Sequence, residues 1–160
     1  MKKTFFLGLV CLFSITLLGQ TKTFKGAWFD VKYPSSFTVK PSLKSTTVQE
    51  GYESAFFVSP DQLVEFYVFS PQWNGNPTDI LLKSSEKLIK TYKTTKGSQM
   101  QKWWTISAKD GSFTRSYYQV SDDSANTIKV IGIKYKNHQA HNKYKEHYLA
   151  FKSSLVQYAD

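Results

Sequence analysis

Cysteine is almost missing from this sequence, since Cys11 is the only one among 160 residues. Cys11 lies in an N-terminal segment that we expect to be removed, so the mature chain would contain none. Disulfide scaffolds and thiol chemistry are therefore excluded for the mature domain. Glycine and proline are also sparse, with 8 and 5 residues, and no linker rich in them divides the chain. We expect one folded domain.

Common catalytic motifs are missing as well. The sequence has no G-x-S-x-G nucleophile elbow, no G-x-G-x-x-G turn and no phosphate-binding Walker loop. We therefore predict a protein that is not an enzyme and that uses no cofactor. A hydrolase with a dispersed site is the remaining enzymatic alternative. Nucleic acid is not an expected partner, because the sequence holds no recognition motif for it.

The N-terminal residues have the features of a signal peptide. Lys2 and Lys3 precede an apolar run over residues 5–18, and Gly19 supplies a small residue at the cleavage position. The run is shorter than the ~20 residues of a membrane-spanning helix. We predict cleavage after Gly19, a single mature domain over residues 20–160 and no transmembrane span after cleavage. The predicted location is periplasmic, envelope-associated or secreted, and an uncleaved N-terminal anchor is the alternative.

Charge is unevenly distributed along the chain. The formal net charge is +9, yet residues 45–82 contain acidic side chains and no lysine or arginine. Residues 83–152, by contrast, are rich in lysine. This polarity favours an oriented contact with a partner over diffuse binding to polyanions.

Alternating apolar residues predict about six β-strands. The predicted strands cover residues 28–33, 55–59, 63–70, 101–108, 112–120 and 127–135. Asp110-Gly111 predicts a hairpin turn, because tight turns need a positive φ angle. Two of the strands, residues 63–70 and 127–135, are apolar on both faces, which is typical of a sheet covered on both sides.

Two amphipathic helices are predicted beside these strands. The first begins at Asn76-Pro77, where an N-cap residue precedes proline, and ends near Gly97. Its apolar face would contain Leu81, Ser85, Leu88 and Tyr92. The second covers residues 142–156, with Tyr144, Tyr148, Phe151 and Leu155 on one face. The expected fold class is α+β, a mostly antiparallel sheet of about six strands sandwiched between helices.

The order of these segments resembles that of a known family. An early strand ends in Tyr33-Pro34, the motif Ala55-Phe56-Phe57-Val58-Ser59-Pro60 precedes a second strand, and an aromatic hairpin passes through Gly111. A closing helix ends in Phe151-Lys152-Ser153-Ser154-Leu155. From about Phe24 to Leu155 the chain resembles the PsbP-like family and its structural relatives, the Mog-type Ran-binding import factors and the DcrB-type envelope proteins.

The resemblance implies an α/β/α sandwich and a non-enzymatic role. Photosynthetic members of the PsbP-like family are extrinsic subunits that support calcium and chloride retention at photosystem II. No functional residue of the family is carried over to this chain, because none matches position by position. The leading expectation is an exported domain that docks on an unidentified envelope protein as an accessory subunit.

Basic side chains supply the candidate docking face. Lys83, Lys87 and Lys90 follow the first predicted helix on the side opposite to its apolar residues. Such a stripe can bind anionic lipid or another acidic surface, and a solvated helix face is the structural alternative.

Aromatic residues suggest a second function, the binding of a small ligand or glycan. Trp73 lies in a loop between prolines and is the candidate to stack on a sugar ring. The other tryptophans, Trp28, Trp103 and Trp104, are expected to pack in the core. Trp103 and Trp104 are adjacent in a strand, so their side chains should lie on opposite faces.

Histidines and carboxylates are the residue types that could supply metal ligands or acid–base groups. His138 and His141 are the weak metal candidates, with His147 and Glu146 nearby. Helical spacing separates these side chains, so we predict surface histidines and no metal site. The acidic residues lack the spacing of a calcium-binding loop, and we predict that they lie in turns and on the surface. They are Glu50, Glu53, Asp61, Glu65, Asp122 and Asp123.

Overall fold

A computed structural model of the chain describes residues 19–158. The predicted signal peptide lies outside the described residues except for Gly19. Every strand and helix of the described fold falls between residues 21 and 157. None of the helices within this range combines the length and the apolar character needed to cross a membrane.

The described residues form ten strands, one short 3-10 turn and one α-helix. In the first half they are β1 (Thr21–Lys25), β2 (Phe29–Pro34), β3 (Thr38–Pro41), β4 (Ser54–Val58), β5 (Val64–Phe69) and the 3-10 turn (Thr78–Ile80). In the second half they are β6 (Glu86–Lys96), β7 (Gln99–Ala108), β8 (Thr114–Asp122), β9 (Thr127–Tyr135), α1 (His138–Ser153) and β10 (Val156–Gln157).

The strands form two antiparallel sheets. The larger has seven strands in the order β3-β4-β5-β9-β8-β7-β6, and the smaller has three in the order β1-β2-β10. The predicted antiparallel arrangement is confirmed, whereas the predicted number of about six strands is too low. The predicted hairpin at Asp110-Gly111 is also confirmed, since Gly111 has a φ of 75° between β7 and β8.

Helix α1 packs against one face of the large sheet. It begins at His138, four residues before the predicted start, because the Asn137 side chain accepts a hydrogen bond from the Ala140 amide at 2.8 Å. The predicted apolar face is confirmed: Tyr144 and Phe151 are buried in the core on this side of the sheet. Phe151 lies between the rings of Phe57 and Phe66, at centroid distances of 5.0 and 5.2 Å.

The first predicted helix is wrong. Residues 78–80 form only a 3-10 turn, and the remainder of the segment becomes strand β6 at the edge of the large sheet. The β-branched residues of this stretch favour an extended chain, and ten of the eleven residues of β6 pair with β7. Gly97, predicted to stop a helix, instead turns the chain between β6 and β7 with a φ of 59°.

The predicted sandwich between helices is consequently wrong as well. Within residues 19–158, α1 covers one face of the large sheet, and the opposite face is covered by the loop that contains the 3-10 turn, from which Ile80 enters a second apolar core. Strands β6 and β7 extend beyond both covers. Trp104 is half buried and packs against this second core, as predicted. Trp103 and Trp28 are also half buried but belong to neither apolar core of the described residues, contrary to the prediction of core packing.

Candidate functional site

The hairpin of β6 and β7, with the loop before it, is rich in lysine. Residues 80–109 contain seven lysines, listed here as Lys83, Lys87, Lys90, Lys93, Lys96, Lys102 and Lys109. Glu86 is the single acidic residue in this range, and only 5% of its surface is exposed. We call residues 80–109 the basic hairpin. Its exposed formal charge is entirely positive.

The buried partner of Glu86 is Arg115 on β8. The guanidinium donates from Nε to Oε1 at 2.9 Å and from Nη2 to Oε2 at 2.6 Å. It also donates to the main-chain carbonyls of Ile80 at 2.8 Å and Leu81 at 3.0 Å. Burial acts to raise the pKa of Glu86, but the hydrogen bonds from Arg115 and from the Lys83 amide outweigh it and hold that pKa below its ordinary value. Arg115 thus removes the only negative charge of the basic hairpin and fixes the loop that precedes β6.

Sequence reasoning missed this pair. Arg115 is the only arginine among 21 basic residues. Only arginine offers a planar, bidentate donor for a carboxylate. A single arginine in a lysine-rich chain was the signal that could have indicated a specific buried partner.

A second polar contact anchors the 3-10 turn to the sheet. Asp79 accepts hydrogen bonds from Ser54 Oγ and from the Tyr67 hydroxyl, both at 2.6 Å. Burial, and then the neighbouring Asp79 carboxylate, raise the pKa of Tyr67. Burial also raises the pKa of Tyr117, beside Arg115, to about 12. These tyrosines therefore remain neutral hydrogen-bonding groups at physiological pH.

The three lysines predicted as one docking face do not lie on one face. Lys87 pairs with Ser107 and Lys90 with Thr105, which places both on the same side of the hairpin despite the bulge between Leu88 and Lys90. Lys83 precedes β6 and lines a cleft of about 450 Å³ on the other side, together with Arg115. All three are exposed. Their predicted placement along a helix is wrong, and their role in docking stays a prediction.

Exposed apolar side chains accompany the lysines. Five of the nine exposed large apolar side chains of the described residues fall between residues 81 and 92. Leu81, Leu82, Leu88 and Ile89 are each between 51% and 57% exposed, and we call these four residues the apolar patch. Three of the four border a shallow depression of about 240 Å³ that also contains Trp104. Such a cluster on a protein surface is typical of a contact site.

Aromatic rings extend across both faces of the same hairpin. Tyr92, Trp103 and Tyr118 form a row on the α1 side, with centroid distances of 5.5 and 4.9 Å. On the opposite side Trp104 stacks on Tyr117 at 5.2 Å. The predicted placement of Trp103 and Trp104 on opposite faces is therefore confirmed.

Trp73 lies apart from the basic hairpin. It is 39% exposed and borders a separate concave surface of about 310 Å³, with Lys44, Glu53 and Asn74 on its rim. The loop position and the exposure agree with the sequence analysis. Its role in stacking on a sugar ring stays a prediction.

The histidines are near aromatic rings. His138 is the first residue of α1, and both His138 and His141 contact Tyr135, at centroid distances of 6.2 and 4.8 Å. His147 lies 5.9 Å from the Tyr144 ring. Within residues 19–158, no three histidine, cysteine, aspartate or glutamate side chains come together in a way that could hold a metal ion.

Asp61 connects the turn between β4 and β5 to α1. Its carboxylate accepts hydrogen bonds from Ser59 Oγ, the Leu63 amide, Lys143 Nζ and the Tyr144 hydroxyl, at 2.7 to 3.1 Å. Partial burial acts to raise the pKa of Asp61, but these hydrogen bonds, first among them that from Lys143, hold the pKa well below its ordinary value. Asp61 has a structural role, as the sequence analysis predicted for the acidic residues.

Replacing Asp61 with asparagine is expected to lower the free energy of unfolding by about 1–2 kcal/mol at pH 7, because hydrogen bonds to a charged acceptor are lost. The depressed pKa means that the carboxylate stabilises the fold above its unfolded pKa and loses this effect as the pH falls through the folded pKa. The free energy of unfolding, measured with urea between pH 7 and pH 2, should therefore fall less with decreasing pH in the variant than in the parent. The exposed Asp123→Asn serves as the control, and equal behaviour of the two variants would contradict the assignment.

Comparison with known proteins finds similarity in fold alone. No protein-family model matches the chain, and no curated protein sequence matches it. The solution structure of cyanobacterial PsbP (CyanoP) from Synechocystis sp. PCC 6803 aligns with a TM-score of 0.52 and 11% identity, over 92% of this chain and 99% of that chain. The Ran-binding protein Mog1p of Saccharomyces cerevisiae aligns with a TM-score of 0.44 and 8% identity, over 88% of this chain and 96% of that chain. The chain thus has a PsbP-like fold, as the order of its segments predicted.

Proposed function

We propose that this chain is an exported, non-catalytic docking domain that attaches to the cell envelope through the basic hairpin. The observation that carries the proposal is the uncompensated charge of that surface: six of its seven lysines are exposed, while Glu86 is buried and neutralised by Arg115. A surface with a single sign of charge attracts and orients a partner of the opposite sign. Export is proposed from the predicted signal peptide.

Two further observations support a docking role. The basic hairpin projects beyond both covers of the sheet, so its side chains are accessible from more than one direction. The PsbP-like fold supports it as well, because the sequence resemblance associates this fold with accessory subunits. The photosystem II role of photosynthetic members is not included, since no residue of this chain has been matched to it.

The proposal is tested by envelope association in cells that make a tagged chain. Lys87→Gln, Lys90→Gln and Lys93→Gln are combined in one variant, which is expected to lose most of its association with the envelope fraction. The measurement is the share of tagged protein that sediments with, or is cross-linked to, that fraction.

The matched control combines Lys22→Gln, Lys25→Gln and Lys32→Gln on the small sheet. These lysines are also exposed, and the net charge changes by the same amount. The control should keep the association of the unmodified chain. Equal association of both variants with the envelope would refute docking through the basic hairpin.

A further inference from the structure

We infer that the partner of the basic hairpin is the surface of an anionic lipid bilayer, with the apolar patch entering the headgroup layer. The inference rests on the proposed function, because it names the partner of that same surface. Its basis is the juxtaposition of exposed aliphatic side chains and exposed lysines within one short segment, residues 81–90.

Aliphatic and basic residues follow each other twice along this segment, with their side chains on both faces of the sheet edge. Residues 81–83 are Leu-Leu-Lys, and residues 87–90 are Lys-Leu-Ile-Lys. A bilayer interface satisfies both kinds of side chain, because the aliphatic groups reach the acyl boundary while the ammonium groups reach the phosphates above it. In water, by contrast, four aliphatic side chains that are each more than half exposed gain nothing from their position.

The charge of the segment matches an anionic surface. Lysines occur on both faces of the hairpin, since Lys87 and Lys90 share one face and Lys93 faces the other with Lys102. A membrane surface carries negative charge over a wide plane, so it can contact lysines on both faces of the sheet edge at β6. A single protein pocket, by contrast, contacts one face. Each lysine close to an anionic membrane strengthens binding about fivefold.

The buried ion pair holds the segment in place before it meets a membrane. Arg115 donates to the carbonyls of Ile80 and Leu81 and pairs with Glu86, so both ends of residues 80–86 are attached to β8. A segment that is already ordered loses little conformational entropy when it binds. The contacts of Arg115 therefore hold Leu81 and Leu82 in one fixed arrangement.

A second copy of the chain fits this surface less well. Strand β6 is an edge strand with free pairing capacity on its outer side, which is where another strand could add. Antiparallel pairing of two such edges would bring the lysines of both copies together, and their repulsion opposes it. An acidic protein is the other source of negative charge, and the experiment below separates it from lipid.

The experiment measures binding to vesicles of the chain beginning at Gln20, which retains every strand and helix of the described residues. Phosphatidylcholine vesicles are compared with vesicles that contain about 30 mol % phosphatidylglycerol. We expect binding to the anionic vesicles alone, weakened by about 0.5 M sodium chloride because salt screens the attraction. The variant combining Lys83→Gln, Lys87→Gln and Lys90→Gln should bind about a hundredfold more weakly, from three fivefold losses.

Two matched pairs of variants identify the contributing side chains. The triple control Lys22→Gln, Lys25→Gln and Lys32→Gln should bind within about twofold of the parent, because it lies on the small sheet away from the contact. Leu82→Ser with Ile89→Ser should weaken binding at least about tenfold, while Leu149→Ser with Val156→Ser, equally apolar and exposed elsewhere, should not. Circular dichroism and thermal unfolding verify that each variant is folded.

Several outcomes overturn the inference. These are no binding to anionic vesicles, equal weakening in both lysine variants, or unchanged binding of the Leu82 and Ile89 variant. If the variant at Lys87, Lys90 and Lys93 loses envelope association in cells while the parent does not bind vesicles, the docking proposal stands with an acidic protein as the partner, and the lipid inference fails. If envelope association survives in that variant, the proposed function itself fails.

Discussion

Replacing Glu86 with alanine is expected to lower the free energy of unfolding by about 3–5 kcal/mol. The side chains of Arg115 and Glu86 are 6% and 3% exposed, and their closest atoms are 2.6 Å apart. Without the carboxylate, the largely buried guanidinium charge has no counter-ion. Urea unfolding at pH 7 measures the loss, and the loop over residues 80–86 should become more susceptible to protease because its attachment to β8 weakens.

A double replacement distinguishes the destabilisation caused by an unpaired buried charge from that caused by lost contacts. Glu86→Leu with Arg115→Met removes both charges and keeps apolar volume, so it should recover much of the stability lost by Glu86→Ala. The neighbouring exposed Lys87→Ala is the control and should change the free energy of unfolding by less than about 0.5 kcal/mol. A loss below about 1 kcal/mol for Glu86→Ala, or a double variant no more stable than the single one, would contradict the proposed cause.

Phe151→Ala is expected to be similarly destabilising, by about 3–5 kcal/mol. Phe151 is 1% exposed and lies between Phe57 on β4 and Phe66 on β5. Its ring packs in the interface between α1 and the large sheet, so its replacement by alanine leaves a cavity there. The lower stability should appear as a reduced urea midpoint and, in hydrogen exchange, as faster exchange of the α1 amides.

Leu149→Ala on the same helix is the matched control. Leu149 is 46% exposed, and the replacement removes an aliphatic side chain from the solvent side of α1. Because alanine favours helix, the free energy of unfolding should change by less than about 0.5 kcal/mol. If the two variants were equally destabilised, the loss would come from the helix itself and not from the contact of Phe151 with the sheet.

The local sequence pattern was sufficient to predict much of the large sheet. Strands β4, β5 and β9 lie close to their predicted positions, because their apolar residues and the turns beside them carry a strong local signal. The turn at Asp110-Gly111 was predicted from its need for positive φ. The helix near the C-terminus was predicted from one apolar face, and that face meets the sheet.

Residues 76–97 show where local pattern fails. Leu88 and Tyr92 are four residues apart, a spacing that fits one face of a helix. In the structure they belong to strand β6, and the bulge after Leu88 places their side chains on opposite faces: Leu88 pairs with Ile106 and Tyr92 with Trp103. Pairing with β7 outweighs the helical spacing, and a single sequence holds no record of that pairing.

The candidate site, like the fold, follows only in part from the sequence. The sequence by itself determined the excess of lysine, its concentration after residue 83 and the absence of thiols from the predicted mature chain, since these follow from composition alone. Only the tertiary structure decided which of those charges are exposed and which are buried. It buries Glu86 against Arg115, 29 positions away in the chain, and leaves six of the seven lysines of the basic hairpin exposed. The cost of burying an unpaired charge makes this contact necessary, and the long-range packing that brings the two residues together is not encoded in local spacing.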